Sequence, residues 1–462
     1  MFMFDNRVEF DANLIQRYAG SGPRYTSYPT AMEFSPAVDE KTYIEWVRAS
    51  NVIARPLSLY VHIPFCAHVC YYCACNKIVT ANRSKAEPYL ESLFREIRLQ
   101  ASLVDPERRV EQLHWGGGTP TFLSDQQMCD LMRVLGENFY LLEDDSGEYS
   151  IEVDPRELRE DTLAILRDIG FNRVSLGVQD FNQEVQQAVH RLQTGEQTLS
   201  ALEQARRLGF RSINIDLMYG LPMQTVASFS ETLDAVIEAR PERLSVFNYA
   251  HLPERFKPQR RIRREDLPSP ADKLEILSLT IDKLTGAGYQ YIGMDHFALA
   301  DDELSLAQRD GSLHRNFQGY STHADADLIG MGVSSIGAMP GGFSQNHTVL
   351  DDYYRDIEAS HLPIARGVAL NDDDRLRGDV IQQLICNNRL DTGLMESRYG
   401  IRFADYFSDE LARLAGMAGD GLVEVTPAQL LVTARGRLLI RNICKVFDHY
   451  RNDSEQQFSK MI

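Results

Sequence analysis

Four of the seven cysteines fall within ten residues, in the segment YVHIPFCAHVCYYCACNK: Cys66, Cys70, Cys73 and Cys75. Cys129, Cys386 and Cys444 are scattered, so the pattern reads as a metal site rather than a disulfide framework. Three thiolates at the spacing C-x-x-x-C-x-x-C can bind three irons of a four-iron four-sulfur (4Fe-4S) cube and leave the fourth without a protein ligand. An open coordination position turns a metal site from structural to reactive. The amino and carboxylate groups of the methionine part of S-adenosylmethionine (SAM) could chelate that iron. Electron transfer into the sulfonium would then free a 5′-deoxyadenosyl radical. The alternative is a structural zinc site using all four cysteines. Cys73-x-Cys75 argues against it, because zinc knuckles favour C-x-x-C pairs and a zinc fold would use two of them. His62 and His68 could also ligate a metal. An isolated histidine is more often simply hydrogen-bonded, so neither is counted.

The loop must be delivered by a scaffold, and the chain spells one out. Leu57, Leu59, Val61 and Ile63 alternate at period two until Pro64, which predicts a strand leading into the cysteines. KAEPYLESLFREIRLQ follows with Leu90, Leu93, Phe94 and Ile97 on one helical face. VEQLHW runs into GGGTP, and Ser124 with Gln127 forms a capping box for a helix with Met128, Leu131, Met132 and Leu135 inward. Helices ending at Gly170, Gly209 and Gly288 are each followed by Phe or Tyr and a strand, and YSIEVDP and LSVFNYAHLP fit between these units. Repeated strand–helix units imply parallel strands with right-handed crossovers, an α/β barrel or open sheet. Function then gathers at the C-terminal strand ends. The residues expected to converge there are Cys66 to Cys75, Gly116 to Thr119, Glu152, Gln179, Asp216, Ala250, and Asp295 with His296.

Near residue 366 the pattern changes. NDDDRLRGD opens a helix with Val380, Ile381, Leu384 and Ile385 inward, and after a second helix LVEVTPAQLLVTA reads as a hairpin and RGRLLIRNICKVFDHY as a helix. This predicts a small winged-helix-like module, structural or lid-forming. The expected domains are an extended N-terminal arm over 1–45, rich in Gly, Pro, Ser and Tyr, the barrel over 46–365, and the module over 366–462.

The 462 residues exceed one compact core, and 44% hydrophobic with 25% charged residues is ordinary globular composition. A formal net charge of −18 disfavours nucleic-acid and anionic-membrane partners. An anionic substrate would need a local basic pocket. MFMFDNRVEFDANL is not a signal peptide, no apolar run is long enough to span a membrane, and the chain reads as cytoplasmic.

The cysteine spacing, with Tyr72 just before Cys73, resembles the radical SAM superfamily. IPFC, CYYCACNKIVT, HWGGGTPTFL, IEVDPRE, GVQDFN, NIDLMYGLP, SVFNYAHLP, GMDHFA, HRNFQGY and RGRLLIRNIC follow one another as in the oxygen-independent coproporphyrinogen III oxidases (dehydrogenases). The resemblance extends over essentially the whole chain, including GPRYTSYPT. It implies an incomplete parallel (β/α) barrel of the radical SAM type with the winged-helix-like domain behind it. It also implies a 4Fe-4S cluster on Cys66, Cys70 and Cys73, with two SAM molecules. Gly117, Gly118 and Thr119 would meet the methionine end of the first SAM, and Glu152 its ribose. Tyr60, Tyr72, Gln179, Arg191, Asp216, Ala250 and Ile336 match other SAM-contacting positions, with Gln179, Arg191 and Asp216 beside the second molecule. Taken singly, Asp216 would cap a helix, Arg191 would pair with an acid, and the triple glycine would be a tight turn. No Lys-Ser/Thr follows that turn, so it is not a P-loop. Two readings stay open for Cys75. One is a catalytic thiol near the substrate or second SAM, which is preferred; the other is a small buried side chain beside the cluster.

The implied reaction removes two propionate carboxyls from coproporphyrinogen III, leaves vinyl groups, and yields protoporphyrinogen IX for haem synthesis without oxygen. A hydrogen leaves the propionate β-carbon to the 5′-deoxyadenosyl radical, and carbon dioxide and one electron follow. The resemblance further implies a monomer and an electron donor such as flavodoxin or ferredoxin. Arginines should line the pocket for a tetracarboxylate. The candidates are Arg24, Arg260, Arg261, Arg263, Arg264 and Arg315, and RRIRRE competes as a solvated basic loop. Two rivals share the cysteine triad: haem chaperones, which typically lack a cysteine at the Cys75 position, and two-SAM methyltransferases or cyclopropanases.

Overall fold

The alternation of Leu57, Leu59, Val61 and Ile63 is carried by a strand, β1 (Leu57–Ile63), and all four side chains are fully buried. The computed structural model describes residues 7–450. The two-sided pattern returns in β2 (Arg109–Gly117), β3 (Glu148–Val153), β4 (Arg173–Gln179), β5 (Ser212–Tyr219) and β6 (Arg243–Asn248), while β7 (Asp327–Met331) is buried throughout. These strands are parallel, in the order β6-β5-β4-β3-β2-β1-β7. Three antiparallel strands, β8 (Ile336–Met339), β9 (Gly342–Asn346) and β10 (Ile364–Ala369), continue the path beyond β7. The result is α/β, an incomplete parallel (β/α) barrel.

One face of the parallel strands is apolar: Leu113, Trp115, Ile151, Val174, Leu176, Ile215 and Val246 are buried with the β1 residues. Each such side chain contributes roughly 1.5–3 kcal/mol by leaving water. The opposite face carries Tyr60, His114, Glu152, Ser175, Asn214 and Asp216, all only partly buried. Parallel sheets are normally apolar on both faces, so this polar face is where the fold departs from what stability alone would choose.

The helices close over the apolar side as their sequences predict. Ala86–Ala101 buries Leu90, Leu93 and Ile97, and Asp125–Asn138 begins at a Ser124–Gln127 capping box and buries Met128, Leu131, Met132 and Leu135. Gly170, Gly209 and Gly288 all have positive φ, the left-handed stop expected of them.

The described chain divides into two compact units, each discontinuous in sequence. The barrel unit comprises Glu33–Pro268 and Asp325–Ala369; the other joins the residues before 33 to Ser269–Ala324 and the chain from Leu370 onward. In the second unit, helix Asp372–Asn387 starts at an Asn371–Asp374 capping box and buries Val380, Ile381, Leu384 and Ile385. Arg389–Asp391, Gln429–Val432 and Val423–Val425 form a three-stranded sheet, and Ile440–Val446 is the closing helix. That is the helical, winged-helix-like arrangement read from the sequence. Among the residues before 45, Ala12–Arg17 is helical and Glu40 opens a helix to Ile53.

One expectation fails. Tyr289–Gly293 does not continue the parallel sequence but pairs antiparallel with His296–Leu299, Gly293 standing opposite His296. Met294, at φ 54°, turns the chain sharply, so Asp295 sits in the hairpin turn and His296 opens the returning strand, and neither follows a parallel strand. The helix-Gly-aromatic-strand signal is the same for both outcomes, because it specifies a strand and not its partner. Among the described residues, no helix is long and apolar enough to cross a membrane.

Buried polar contacts fix the barrel unit's register. Arg108 and Asp327, each 2% exposed at the side chain, form an ion pair at 2.5 Å. Arg108 also donates to the Arg55 carbonyl at 2.7 Å and to Asn51 Oδ1 at 3.1 Å. Asp327→Ala would strand that guanidinium in the interior and is expected to cost about 3–5 kcal/mol, measured as a lowered denaturation midpoint in urea.

Candidate functional site

β1 ends at Pro64 and the chain enters the cysteine loop, whose first residues zip onto the end of β2. The Gly118 amide donates to the Ile63 carbonyl at 2.8 Å and the Thr119 amide to the Phe65 carbonyl at 2.8 Å. Phe65–Cys66 pairs in parallel with Ile78–Val79, which returns the loop to its root. Tyr89 holds the same root by donating to the His62 carbonyl at 2.6 Å and accepting the Val333 amide at 3.1 Å.

The glycines are dictated by this closeness. A Cβ on Gly118 would stand 2.7 Å from backbone atoms of Pro64 and Phe65, and one on Gly116 2.9 Å from the Glu152 carboxyl. Gly117 has φ +114°, and its Cβ would meet the His62 ring at 2.5 Å. With no side chains there, the Gly117 amide donates to Glu152 Oε2 at 3.1 Å.

Cys66 and Cys70 are buried, Cys73 is partly buried, and Cys75 is exposed. Burial pushes the Cys66 thiol up to about 11, although Thr119 Oγ1 donates to its sulfur at 3.5 Å. Cys70 accepts from Arg156 Nη2 and Arg191 Nη1, both at 3.5 Å. Hydrogen bonding with Cys75 draws Cys73 down to about 5 against its burial, and Lys77 acts in the same direction. That hydrogen bond and the Cys73 charge push Cys75 up.

No group of three or more His, Cys, Asp and Glu among the described residues is arranged to hold a single metal ion. The donor set fits a cluster held by separate thiolates. Cys66, Cys70 and Cys73 lie within electrostatic reach of one another, and Arg156, Arg191, Lys77 and Thr119 supply donors that compensate thiolate charge.

The polar sheet face continues from this loop. Tyr60 stacks on His114 with centroids 5.9 Å apart, and His114 Nε2 lies 3.4 Å from Glu152 Oε1. Burial would raise the Glu152 carboxyl, but His114, the Gly117 amide and His62 hold it below its ordinary range. Asp216 accepts from Ser175 at 3.0 Å and from Asn214 at 2.8 Å. Burial first, then the Glu152 charge, lifts it to about 6.

Arg191, 5% exposed, is held by Asp154 at 3.0 Å and donates to the Gly177 carbonyl at 2.5 Å. Asp154 is lowered to about 2, where Arg191 and Arg156 overcome its desolvation. Gln179 ends β4 at φ 70° beside a register shift, which re-aims the strand end. Tyr72 packs against the cluster of Val185, Val189, Leu221, Tyr249 and Ile262. Ala250 follows β6 and Ile336 opens β8; for these two the placement is by strand position.

Several participants were not singled out from sequence. Asp154 and Arg156 lie inside IEVDPRE, but nothing in their types says that they brace Arg191 and Cys70. Lys77 and His114 carry no signal beyond adjacency to a motif. The two uncounted histidines are indeed hydrogen-bonded or paired: His62 with Tyr60 and the Asn76 carbonyl, each at 3.1 Å, and His68 with Glu157 at 3.3 Å. Arg263 pairs with Asp266 at 2.6 Å, and Arg260, Arg261, Arg263 and Arg264 are exposed, so RRIRRE is a solvated loop.

Residues 60–236 match the family described as the Radical SAM superfamily. Two curated oxygen-independent coproporphyrinogen III oxidases align along nearly their whole length. That of Pseudomonas aeruginosa is 53% identical over 98% of this chain and 99% of its own, and that of Escherichia coli K12 54% identical over 99% of each. The solved structure of coproporphyrinogen III oxidase from Escherichia coli, a radical SAM enzyme, superposes with a TM-score of 0.92 at 53% identity, covering 96% of this chain and all of that one. The class is thus radical SAM, whose members use a 4Fe-4S cluster and SAM. The chain belongs to the oxygen-independent coproporphyrinogen III oxidase family. Neither a haem chaperone nor a two-SAM methyltransferase is favoured by these likenesses.

Asp216 gives a pH test. Its folded-state pKa lies above the unfolded value, so the native state binds more protons and stability falls as pH rises from 4 through about 6. Asp216→Asn is expected to melt higher than the parent at pH 7.5, with the margin shrinking toward pH 4, while SAM binding weakens. Thermal melts across pH and equilibrium dialysis with labelled SAM check both effects.

Proposed function

We propose that this chain carries out the oxygen-independent oxidative decarboxylation of coproporphyrinogen III in haem biosynthesis. Two propionates each lose a carboxyl as carbon dioxide, a β-hydrogen atom to the 5′-deoxyadenosyl radical and one electron to a one-electron acceptor, leaving the vinyl groups of protoporphyrinogen IX. The carrying observation is that three thiols sit on the loop leaving β1, in a sheet whose polar face bears Glu152 and Asp216, in a chain alike to this family from end to end.

With cluster and SAM bound, one-electron cleavage of the sulfonium would supply the 5′-deoxyadenosyl radical that the reaction needs. Cys66, Cys70 and Cys73 would hold the cluster. Arg191 and Arg156, braced by Asp154, would offset the thiolate charge at Cys70. Gly117, Gly118 and Thr119 would meet the methionine end of SAM, and Glu152, held ionised by His114, suits a ribose diol. Tyr60, Tyr72, Ala250 and Ile336 would complete that site. Gln179, Arg191 and Asp216 would face a second SAM, and the exposed Cys75 thiol would act on substrate or on that molecule. A monomer in the cytoplasm of cells growing without oxygen, reduced by a flavodoxin- or ferredoxin-like donor, is the setting this reading carries. The winged-helix-like module would serve as support or lid.

The test is anaerobic reconstitution followed by reductant, SAM and coproporphyrinogen III. Carbon dioxide, 5′-deoxyadenosine and protoporphyrinogen IX are expected together. Alanine at Cys66, Cys70 or Cys73 should remove both the iron and the deoxyadenosine, lowering activity by at least about 1,000-fold. SAM cleaved with all four carboxyls retained, or S-adenosylhomocysteine as product, would sink the assignment.

A further inference from the structure

The unit built around Ser269–Ala324 and the chain from Leu370 onward buries a guanidinium without acceptors for two of its nitrogens. Arg315 lies in the hairpin formed by His314–Asn316 and Gly319–Ser321 and is 3% exposed. Its Nε and Nη1 make no hydrogen bond to any described residue, and neither does Nε2 of Gln318 at the turn of the same hairpin. Buried donors of this kind are rare in native proteins and costly to leave unmade.

The side chain is nonetheless held in place. Its guanidinium lies over the Tyr320 ring, 4.8 Å from the centroid. Gln382 clamps the backbone, accepting the Arg315 amide at 3.2 Å and donating to its carbonyl at 2.7 Å. A cation–π contact uses the face of the fork and leaves its in-plane N–H groups for something else.

The neighbourhood is cationic. Arg441, 4% exposed, donates to the carbonyls of Pro23, at 2.9 Å, and Gly22, and lies within electrostatic reach of Arg24, Asp295 and Arg315. Asp295 is the carboxylate of that group and already accepts from Arg24 at 2.5 Å. The chain as a whole carries −18, and three guanidinium groups nevertheless gather here. Rigid, buried and with two donors unmade, the Arg315 fork complements a carboxylate, which offers two oxygens in its plane.

We infer that Arg315, aided by Gln318, receives a propionate carboxylate of the substrate. This rests on the proposed decarboxylation of coproporphyrinogen III and assigns one residue among the arginines that the sequence left undivided. Arg24, paired with Asp295, and Arg441, committed to backbone carbonyls, supply field rather than the receiving fork.

The test uses the full-length, cluster-reconstituted enzyme. Binding of coproporphyrin III, the stable oxidised tetracarboxylate, is compared with that of its tetramethyl ester, and turnover of coproporphyrinogen III gives KM. The parent is expected to prefer the acid over the ester. Arg315→Met should collapse that preference and raise KM for the porphyrinogen by about 10- to 100-fold, the scale of one charge-assisted hydrogen bond, with KM for SAM unchanged. Arg315→Lys should recover part of both. Because it removes a buried unpaired cation, Arg315→Met should also melt higher than the parent, whereas a merely structural arginine would leave a less stable protein. An unchanged acid-to-ester ratio in Arg315→Met overturns the inference. Should that variant not fold, Arg315→Lys and Gln318→Met must each shift the ratio, and an unshifted ratio in both overturns it. A parent enzyme that neither binds nor decarboxylates the porphyrinogen is a separate result; it fails the underlying reading and this inference with it.

Discussion

Backbone meets backbone where the cysteine loop leaves β1 and crosses the end of β2, and there is no room for a side chain between them. A Cβ on Gly118 would press against the Pro64 and Phe65 carbonyls, and the amides on either side of that contact carry the hydrogen bonds that hold the loop down. This approach fixes where Cys66 begins, places the Gly117 amide under Glu152, and lets Thr119 reach the Cys66 sulfur. The rest of the barrel unit supports that contact. Its apolar face secures the strands to their helices, and Tyr89 with the buried Glu96 carboxylate pins the facing strand end, Glu96 accepting from the Gly332 amide at 2.8 Å and from Tyr353 at 2.7 Å.

Electrostatics then divides the molecule against its own net charge. The chain is acidic overall, yet several guanidinium groups are buried. Arg191 and Arg156 face the Cys70 sulfur. In the other unit, Arg315 and Arg441 are buried. Burying a guanidinium is costly unless it is paired. Arg191 has Asp154, and Arg441 has backbone carbonyls. Arg315 has an aromatic face and unused donors.

Much of this was legible in the chain because it depends on local chemistry. Period-two alternation gave the strands, Ser124 with Gln127 gave a capped helix, and glycines gave the helix stops. Glu152, Gln179 and Asp216, expected after strands, lie within β3, β4 and β5 themselves. The hairpin at Tyr289–Leu299 was not legible, since a strand's sequence carries its burial pattern but not the identity of its neighbour. The discontinuous units were equally hidden, because segments far apart in sequence pack together by contacts that no local pattern records.

The sequence by itself determined the spacing of the three thiols, the strand–helix repeat and the family, because spacing, periodicity and residue type are properties of the chain. Only the tertiary structure decided which groups act on those residues. Asp154 bracing Arg191, His114 holding Glu152 ionised and Arg315 buried without acceptors are all outcomes of burial and long-range contact. A charge's energy is set by what surrounds it in space, and neighbours in space are chosen by folding.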